Sequence, residues 1–250
     1  MRPGIYRKLK QTLDEERLVG LATIVGGPDT YLGRQLLIRP DGTTEGDLED
    51  LAGPLLERAR ELFVAFRSER FEVASDGGAL DVFLEVHPPR PKLIIVGAVH
   101  VAIHLVRFAR ELGFRTYVVD PRTAFATPER FADADELLTD WPDAALSRIG
   151  LNESTYLALL SHDLKLDIPA LRVALPSPAR YIGALGSKKT HEKRLRALAD
   201  GGVPEALLAR IKNPIGLDLG GRRADEIAVS ILAEIVAASH GKGRSLSTVT

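Results

Sequence analysis

The chain has 250 residues, of which 45% are hydrophobic and 27% are charged, a composition typical of a globular protein with one large or two modest domains. The formal net charge of -1 argues against sequence-independent binding to nucleic acid or to an acidic membrane. The absence of cysteine excludes disulfides, a thiol nucleophile and thiolate metal sites, and it fits a reducing, cytoplasmic compartment. Because no apolar run is long enough, we expect neither a signal peptide nor a membrane span.

The first part of the chain predicts a small α/β unit. Leucines recur at helical spacing in two segments, and short apolar or alternating runs bounded by turn residues indicate strands. In chain order, the expected elements are a helix (7–18), two strands (19–25 and 33–39), a helix (47–60) and two strands (70–74 and 80–86) that are joined around Asp76-Gly77-Gly78.

A proline-rich segment, His87-Pro88-Pro89-Arg90-Pro91, follows these elements. Three prolines in five residues cannot lie in a central strand or a helix interior, so we interpret the segment as a connector between domains. The expected domains are residues 1–88 and 89–241. The polar residues 242–250 are expected to form a flexible tail.

Beyond the connector, continuous apolar runs alternate with helical segments. Strands buried on both faces of a parallel sheet have such runs. The expected strands and helices are 92–96, 101–112, 115–119, 155–160, 181–185, 188–199 and 224–238. This alternation predicts an α/β fold in which a Rossmann-like, doubly wound parallel sheet follows a smaller N-terminal α/β domain.

The first turn of this second domain reads Gly97-Ala98-Val99-His100 between a strand and a helix. In dinucleotide-binding folds this turn lies under a pyrophosphate, with free N–H groups at the helix start. Asp120 ends the next strand, where an acidic residue that binds a ribose hydroxyl is expected. Val99, however, replaces the middle glycine of the G-x-G pattern and should crowd a phosphate. The alternative is a Rossmann domain that binds no dinucleotide.

A second candidate turn contains Gly183, Gly186, Ser187 and Lys188, and it leads into a helix. Ser187 is a favourable N-cap residue. Lysines in the first helical turn oppose the helix dipole, and an external phosphate or carboxylate would relieve this conflict. The alternative is that the lysines are merely solvated.

Two further loops carry polar residues that could serve a site. His162 and Asp163 follow a strand at the edge where open α/β sheets bind ligands, so His162 could move a proton or bind a ligand. Alternatively, Asp163 caps the following helix. Asp218 lies among three glycines before the last helix and is expected to point inward, or else to accept backbone N–H groups. His100 and His104 share a helix face, but we expect no metal site.

Several segments of the second domain together resemble the XdhC/CoxI family. They are IVGAVHVA from Ile95, VDPRTAFATPERF from Val119, SHD from Ser161, YIGALGSKK from Tyr181 and RIKNPIGLDLGGRRADEIAVSILAEIVA from Arg210. The resemblance implies a Rossmann-like domain whose ligand contacts include Arg122, after Asp120. It also implies an accessory protein, usually dimeric, that binds the molybdenum cofactor and delivers it to a molybdenum hydroxylase such as xanthine dehydrogenase.

The chain departs from the family pattern in two places. Val99 stands where the family motif G-A-G-H has its second glycine, and the family's S-G-G-C segment in the first domain has no counterpart. Three functions therefore stay open. They are a maturation chaperone that holds a molybdopterin-type cofactor, an NAD(P)-dependent oxidoreductase, and a nucleotide- or metabolite-binding module without catalysis. The expected partners are a molybdenum hydroxylase and a second copy of the chain.

Overall fold

The computed structural model describes residues 3–75 and 77–240, which form two compact units that divide after Pro89. Asp76, in the expected turn, and the expected tail at 242–250 lie outside the described residues. In the part of the chain that is described, no helix is both long and apolar enough to cross a membrane.

The first unit is a five-stranded antiparallel sheet with the order β3-β2-β1-β5-β4 and a helix on each face. Its strands are β1 (Val19–Gly26), β2 (Gln35–Ile38), β3 (Thr44–Gly46), β4 (Glu69–Ser75) and β5 (Gly78–His87). Its helices are α1 (Pro3–Asp14) and α2 (Ala52–Ala65), the latter preceded by a 3-10 turn, Glu49–Leu51. Alternate residues of the sheet face the two helices, so that Leu36 and Ile38 pack under α2 and Leu37 packs under α1.

Both helices of this unit begin and end at other residues than the sequence predicts. The second helix is α2, which starts and ends five residues later than the expected 47–60. Proline lacks an N–H and is tolerated only in the first helical turn, and Pro54 lies in the first turn of α2. The helix expected over 7–18 is α1, which ends before Glu16, a residue in the left-handed region with φ of 50°.

The second unit is a six-stranded parallel sheet with the order β8-β7-β6-β9-β10-β11. Its strands are β6 (Lys92–Val96), β7 (Arg115–Val119), β8 (Glu136–Leu138), β9 (Thr155–Leu159), β10 (Tyr181–Ala184) and β11 (Ile211–Lys212). Its helices are α3 (His100–Glu111), α4 (Pro142–Ile149), α5 (Leu164–Ala174), α6 (Lys188–Asp200), α7 (Glu205–Leu208) and α8 (Ala224–Ser239).

Helices cover both faces of this parallel sheet. Leu93 and Ile95 of β6 pack against α3 and α8, whereas the alternate residues Ile94 and Val96 pack against α4 and α5 on the other face. The strand order is the doubly wound Rossmann order, in which the first strand lies at the centre and successive strands are added to either side. The prediction of an α/β fold with a Rossmann-like parallel sheet is therefore confirmed. The sequence did not predict the bounds of α5, nor the short elements β8, β11, α4 and α7.

The loops that follow the two central strands, β6 and β9, lie in close contact. Gly97 follows β6 with φ of +112°, and a Cβ atom there would lie 2.7 Å from the backbone nitrogen of Ser161 and 2.9 Å from its Cα. Both facts require glycine, because other residues rarely adopt this φ and because backbone atoms cannot move aside as a flexible side chain can.

We expect Gly97→Ala to lower the free energy of unfolding by about 2 kcal/mol or more, since it adds backbone strain to a backbone clash. The control is Gly113→Ala. Gly113 also has positive φ, of +80°, but has nothing within 4 Å of the added Cβ. The Gly113→Ala substitution should lower the free energy of unfolding only by its backbone strain, about 1 kcal/mol. Urea unfolding of both variants measures the difference, and equal losses would contradict the close packing at Gly97.

Candidate functional site

The candidate site is the carboxyl edge of the parallel sheet, at the point where its strand order reverses. The connection after β6 runs to β7 on one side, and the connection after β9 runs to β10 on the other. Ligands of doubly wound α/β proteins bind in the crevice that this reversal opens. The two loops that flank the crevice, Gly97–His100 and Ser161–Asp163, contact each other through the backbones of Gly97 and Ser161.

The Gly97–His100 loop uses most of its own N–H groups inside the protein. The N–H of Gly97 donates to the carbonyl of Val119 at 2.9 Å, and that of Val99 donates to the carbonyl of Gly97 at 2.9 Å. The N–H of Ala98 donates to the Asp120 carboxylate at 2.8 Å. The N–H groups of His100 and Val101, at the start of α3, find no acceptor among the described residues, and no side chain caps this helix.

Val99 fits this loop without backbone strain. Its φ and ψ of -88° and 173° are ordinary extended values. Its side chain is half-buried and packs against the apolar cluster under α3 and α8. The valine that replaces the family's glycine is therefore accommodated by a loop that closes on itself.

Asp120 is fully buried, and both of its carboxylate oxygens accept hydrogen bonds from the protein. Besides the Ala98 N–H, the donors are the N–H of Arg122 at 3.0 Å and its guanidinium Nε and Nη2 at 2.9 and 2.7 Å. Burial opposes the charged form, but the bonds from Arg122 and Ala98 outweigh it and lower the pKa of Asp120. In this arrangement Asp120 positions the Gly97 loop, and a ribose hydroxyl could reach it only by displacing Arg122.

Arg122 is held in this position from two sides. Its guanidinium forms the ion pair with Asp120 and lies over the ring of Phe125, 4.8 Å from the ring centroid. The negative charge of Asp163, at the end of β9, helps to raise the pKa of Arg122, although the hydrogen bond to Asp120 is the main cause. The residues predicted after β6, β7 and β9 are therefore brought together.

His162 is exposed and has an unusual backbone conformation. Its φ of 55° lies in the left-handed region, which non-glycine residues seldom adopt and which often marks functional sites. Asp163 caps α5 by accepting the N–H of Lys165 at 2.9 Å, as the alternative interpretation predicts. Because Asp163 is used to cap α5, the imidazole of His162 is the group of this loop that faces solvent.

Of the four residues predicted at the end of β10, one lies in the strand and three lead into α6. Gly183 is buried in the strand, where an added Cβ would lie 2.5 Å from Tyr181 Oη and 2.6 Å from Ile215 Cγ1, so glycine is needed there for packing. Gly186 has φ of +144° and leads into α6. Ser187 caps that helix by accepting the N–H of Thr190 at 3.3 Å, and Lys188 follows it with an exposed side chain.

Asp218 does not point inward, so this expectation was wrong. It is exposed and accepts the N–H of Gly220 at 3.1 Å. The inward part of its loop is Gly216, whose N–H donates at 2.7 Å to the buried carboxylate of Glu234 on α8. Once Gly216 is fixed there, the following residues run along the surface, and Asp218 stabilises a local turn.

A buried ion pair that was not predicted from the sequence lies beneath the site. Asp167 on α5 and Arg194 on α6 are 1% and 0% exposed, and Arg194 Nη2 and Nε donate to Asp167 Oδ2 at 2.7 and 3.1 Å. Arg194 Nη2 also donates to the carbonyl of Leu185 at 3.0 Å, and Ser161 Oγ donates to Asp167 Oδ1 at 2.7 Å. The pair therefore joins the loops after β9 and β10. Charged residues within the apolar faces of two helices were the signal for it.

These geometric features define the class of protein. The unit is a Rossmann-like domain whose Gly97 loop is held closed by the carboxylate of Asp120. Residues 93–235 match the XdhC Rossmann domain, more than half of the chain, and the chain belongs to the XdhC family.

Three curated relatives are similar to parts of this chain. Protein YqeB of Escherichia coli is 32% identical over 216 residues, which are 81% of this chain and 40% of the relative. A probable xanthine dehydrogenase subunit from Bacillus subtilis is 31% identical over 156 residues, 62% and 45% of the two chains. The molybdenum cofactor insertion chaperone PaoD of Escherichia coli is 36% identical over 95 residues, which are 38% of this chain and 29% of the relative. This chain thus spans less than half the length of each of them.

A solved structure has the same fold. A crystal structure from Bacillus halodurans, described as a xanthine dehydrogenase, superposes with a TM-score of 0.54 at 22% sequence identity. The superposition covers 96% of this chain and 97% of the other. At this level of identity the likeness concerns the fold of the chain and does not extend to its activity.

We expect Asp120→Asn to lower the free energy of unfolding at pH 7 by about 2–4 kcal/mol, because a buried carboxylate with four charge-assisted or backbone donors is lost. The depressed pKa means that this stabilisation is present above the unfolded-state pKa of about 3.9 and is lost as the pH falls through the folded-state value. Urea unfolding at pH 7 and near pH 3 should show the gap between wild type and variant shrinking in acid. A gap that is independent of pH would contradict this role.

For the buried pair, we expect Arg194→Met or Asp167→Leu alone to cost about 3–5 kcal/mol, since each leaves an uncompensated buried charge. The double variant should lose clearly less than the sum of the two single losses. Arg196→Met, at an exposed position of the same helix, is the control and should stay within about 0.5 kcal/mol of wild type. Strictly additive losses, measured by urea unfolding, would show that the pair is not coupled.

Proposed function

We propose that this chain is an accessory protein that binds a molybdopterin-type molybdenum cofactor at the carboxyl edge of its Rossmann unit and delivers it to a molybdenum hydroxylase. A xanthine dehydrogenase-like enzyme is the proposed recipient. The observation that carries this proposal is the set of unused donors around the crevice: two N–H groups of α3, the His162 imidazole and the Lys188 ammonium group. The names of two relatives, the insertion chaperone PaoD and the probable xanthine dehydrogenase subunit, agree with it.

The residues present fit a phosphate-bearing pterin. The N–H groups of His100 and Val101, at the positive end of the α3 dipole, would hold the phosphate. Lys188, at the start of α6, would add a full positive charge. His162 would hydrogen-bond a polar edge of the pterin. When bound, the cofactor supplies the molybdenum chemistry of the recipient enzyme, and the residues of this chain bind it, orient it and keep it until transfer.

The same geometry disfavours the NAD(P)-dependent oxidoreductase. Dinucleotide binding of that type uses a free carboxylate for the ribose and a glycine loop whose N–H groups point at the pyrophosphate. Here Asp120 is saturated by Arg122 and Ala98, and the N–H groups of residues 97–99 have acceptors within the protein. We therefore favour binding and transfer over hydride chemistry. We also propose that the protein acts in the cytoplasm, as the absence of cysteine suggests, and forms a homodimer, as the family resemblance implies.

We expect Lys188→Glu to weaken cofactor binding about tenfold, because it replaces an attractive charge at the helix start by a repulsive one. The probe is molybdenum cofactor released from a purified molybdenum enzyme under anaerobic conditions. Bound pterin is measured after gel filtration by the fluorescence of its oxidation product. Lys193→Glu, also exposed and on the same helix but away from its start, is the control and should bind like wild type.

Three results would contradict the proposal or a part of it. If the wild-type chain retains NADH but no pterin, the oxidoreductase is favoured. If it retains neither compound, a binding module for another metabolite is favoured. Equal loss of binding in Lys188→Glu and Lys193→Glu would contradict the placement of the phosphate at the start of α6. Thermal unfolding without ligand should show no loss of stability in either variant, since a glutamate at the start of α6 suits the helix dipole.

A further inference from the structure

A groove runs between α2 and β4 in the first unit, at the edge of its antiparallel sheet. Its volume is about 420 Å³, and its walls include Glu57, Arg58 and Glu61 of α2 and Phe71, Glu72 and Val73 of β4. We propose that this groove binds an extended protein segment with alternating basic and apolar side chains, which adds to β4 as a further strand. This site is separate from the proposed cofactor site and does not depend on it.

The backbone of β4 is suited to strand addition. β4 lies at the end of the sheet and, within residues 3–75 and 77–240, pairs only with β5. In an antiparallel ladder, every second residue of an edge strand directs its N–H and C=O groups away from its neighbour, where they can pair with another chain. β4 offers seven residues for this, whereas β3, at the opposite edge, has only three.

The helix beside the strand completes a peptide-binding arrangement. An edge strand next to a helix provides main-chain hydrogen bonds on one side and side-chain pockets on the other, as in domains that bind peptides by strand addition. In this groove the apolar contacts come from Phe71 and Val73, which lie two residues apart and therefore on the same face of β4. An added strand would place its own alternate side chains against them.

The charge of the groove selects a basic segment. Its one cation, Arg58, is already engaged, since it forms ion pairs with Glu61 and Glu69 and lies over the ring of Phe71. Glu57 lies on α2, whereas Glu72, between Phe71 and Val73 in the chain, lies on the other face of β4. Both are exposed, and neither forms an ion pair with a described residue. The uncompensated charge of the groove is therefore negative. In an added strand, apolar side chains on one face would contact Phe71 and Val73, and the alternating lysine or arginine side chains would meet Glu72 on the other face.

The test uses the full chain and a labelled, capped synthetic peptide in which lysine and valine alternate. Fluorescence anisotropy should show binding that weakens as the salt concentration rises. Hydrogen exchange should show new protection of the amides in β4. A peptide of the same sequence with N-methyl groups at alternate residues keeps its charge but cannot form the ladder, and it should not bind. A peptide in which glutamate replaces lysine should not bind either.

Charge-reversal variants locate the peptide. The double variant Glu57→Lys, Glu72→Lys should weaken binding about tenfold, because two attractive contacts become repulsive. Asp14→Lys is the control. Asp14 is exposed in the same unit, on α1, which packs on the opposite face of the sheet, and its variant should bind like wild type. Circular dichroism melts establish that the variants are folded.

Several results would overturn the proposal. Undiminished binding of the N-methylated peptide, or unchanged affinity in the double variant, would show that the ladder or the charge is not used. Protection that falls outside β4 would place the peptide elsewhere. Protection of β4 in a dimer without any peptide would show that a second copy of the chain occupies the edge. None of these outcomes bears on cofactor retention, so the two proposals fail independently.

Discussion

Buried carboxylates hold the loops on which the candidate site depends. A desolvated carboxylate is costly unless donors surround it, and Asp120 and Asp167 are both surrounded. Asp120 joins the end of β7 to the loop after β6 through the Ala98 N–H, and Asp167 joins the loop after β9 to α6 through Ser161 and Arg194. The loops after four neighbouring strands are thereby fixed.

Fixing these loops also determines which groups remain for a ligand. Loop N–H groups and carboxylate oxygens that stabilise the crevice from within are no longer free to bind a guest. What remains faces solvent: the N–H groups at the start of α3, the strained His162 and Lys188. Such a set of donors can hold an anion, which is the physical basis of the binding role proposed above.

Much of the second unit could be predicted from the sequence because its signals are local. The runs KLIIV and RTYVV coincide with β6 and β7 at both ends, and Ser187 caps α6 as expected. Pro169 lies inside α5, where proline is normally unfavourable, so local propensity gave little indication of that helix. The direction of Asp218 could not be predicted either, because it depends on the contact of Gly216 with Glu234, which is distant in sequence.

The sequence by itself determined the α/β class, the Rossmann alternation and the concentration of glycine and polar residues after strands, since apolar periodicity and turn chemistry act over a few residues. Only the tertiary structure decided which of those polar residues are consumed within the protein. Ala98 meets Asp120, and Asp167 meets Arg194, because β7, β6, β9 and β10 are neighbours in the sheet. Their hydrogen bonds join residues more than 20 positions apart, and no local pattern encodes that proximity.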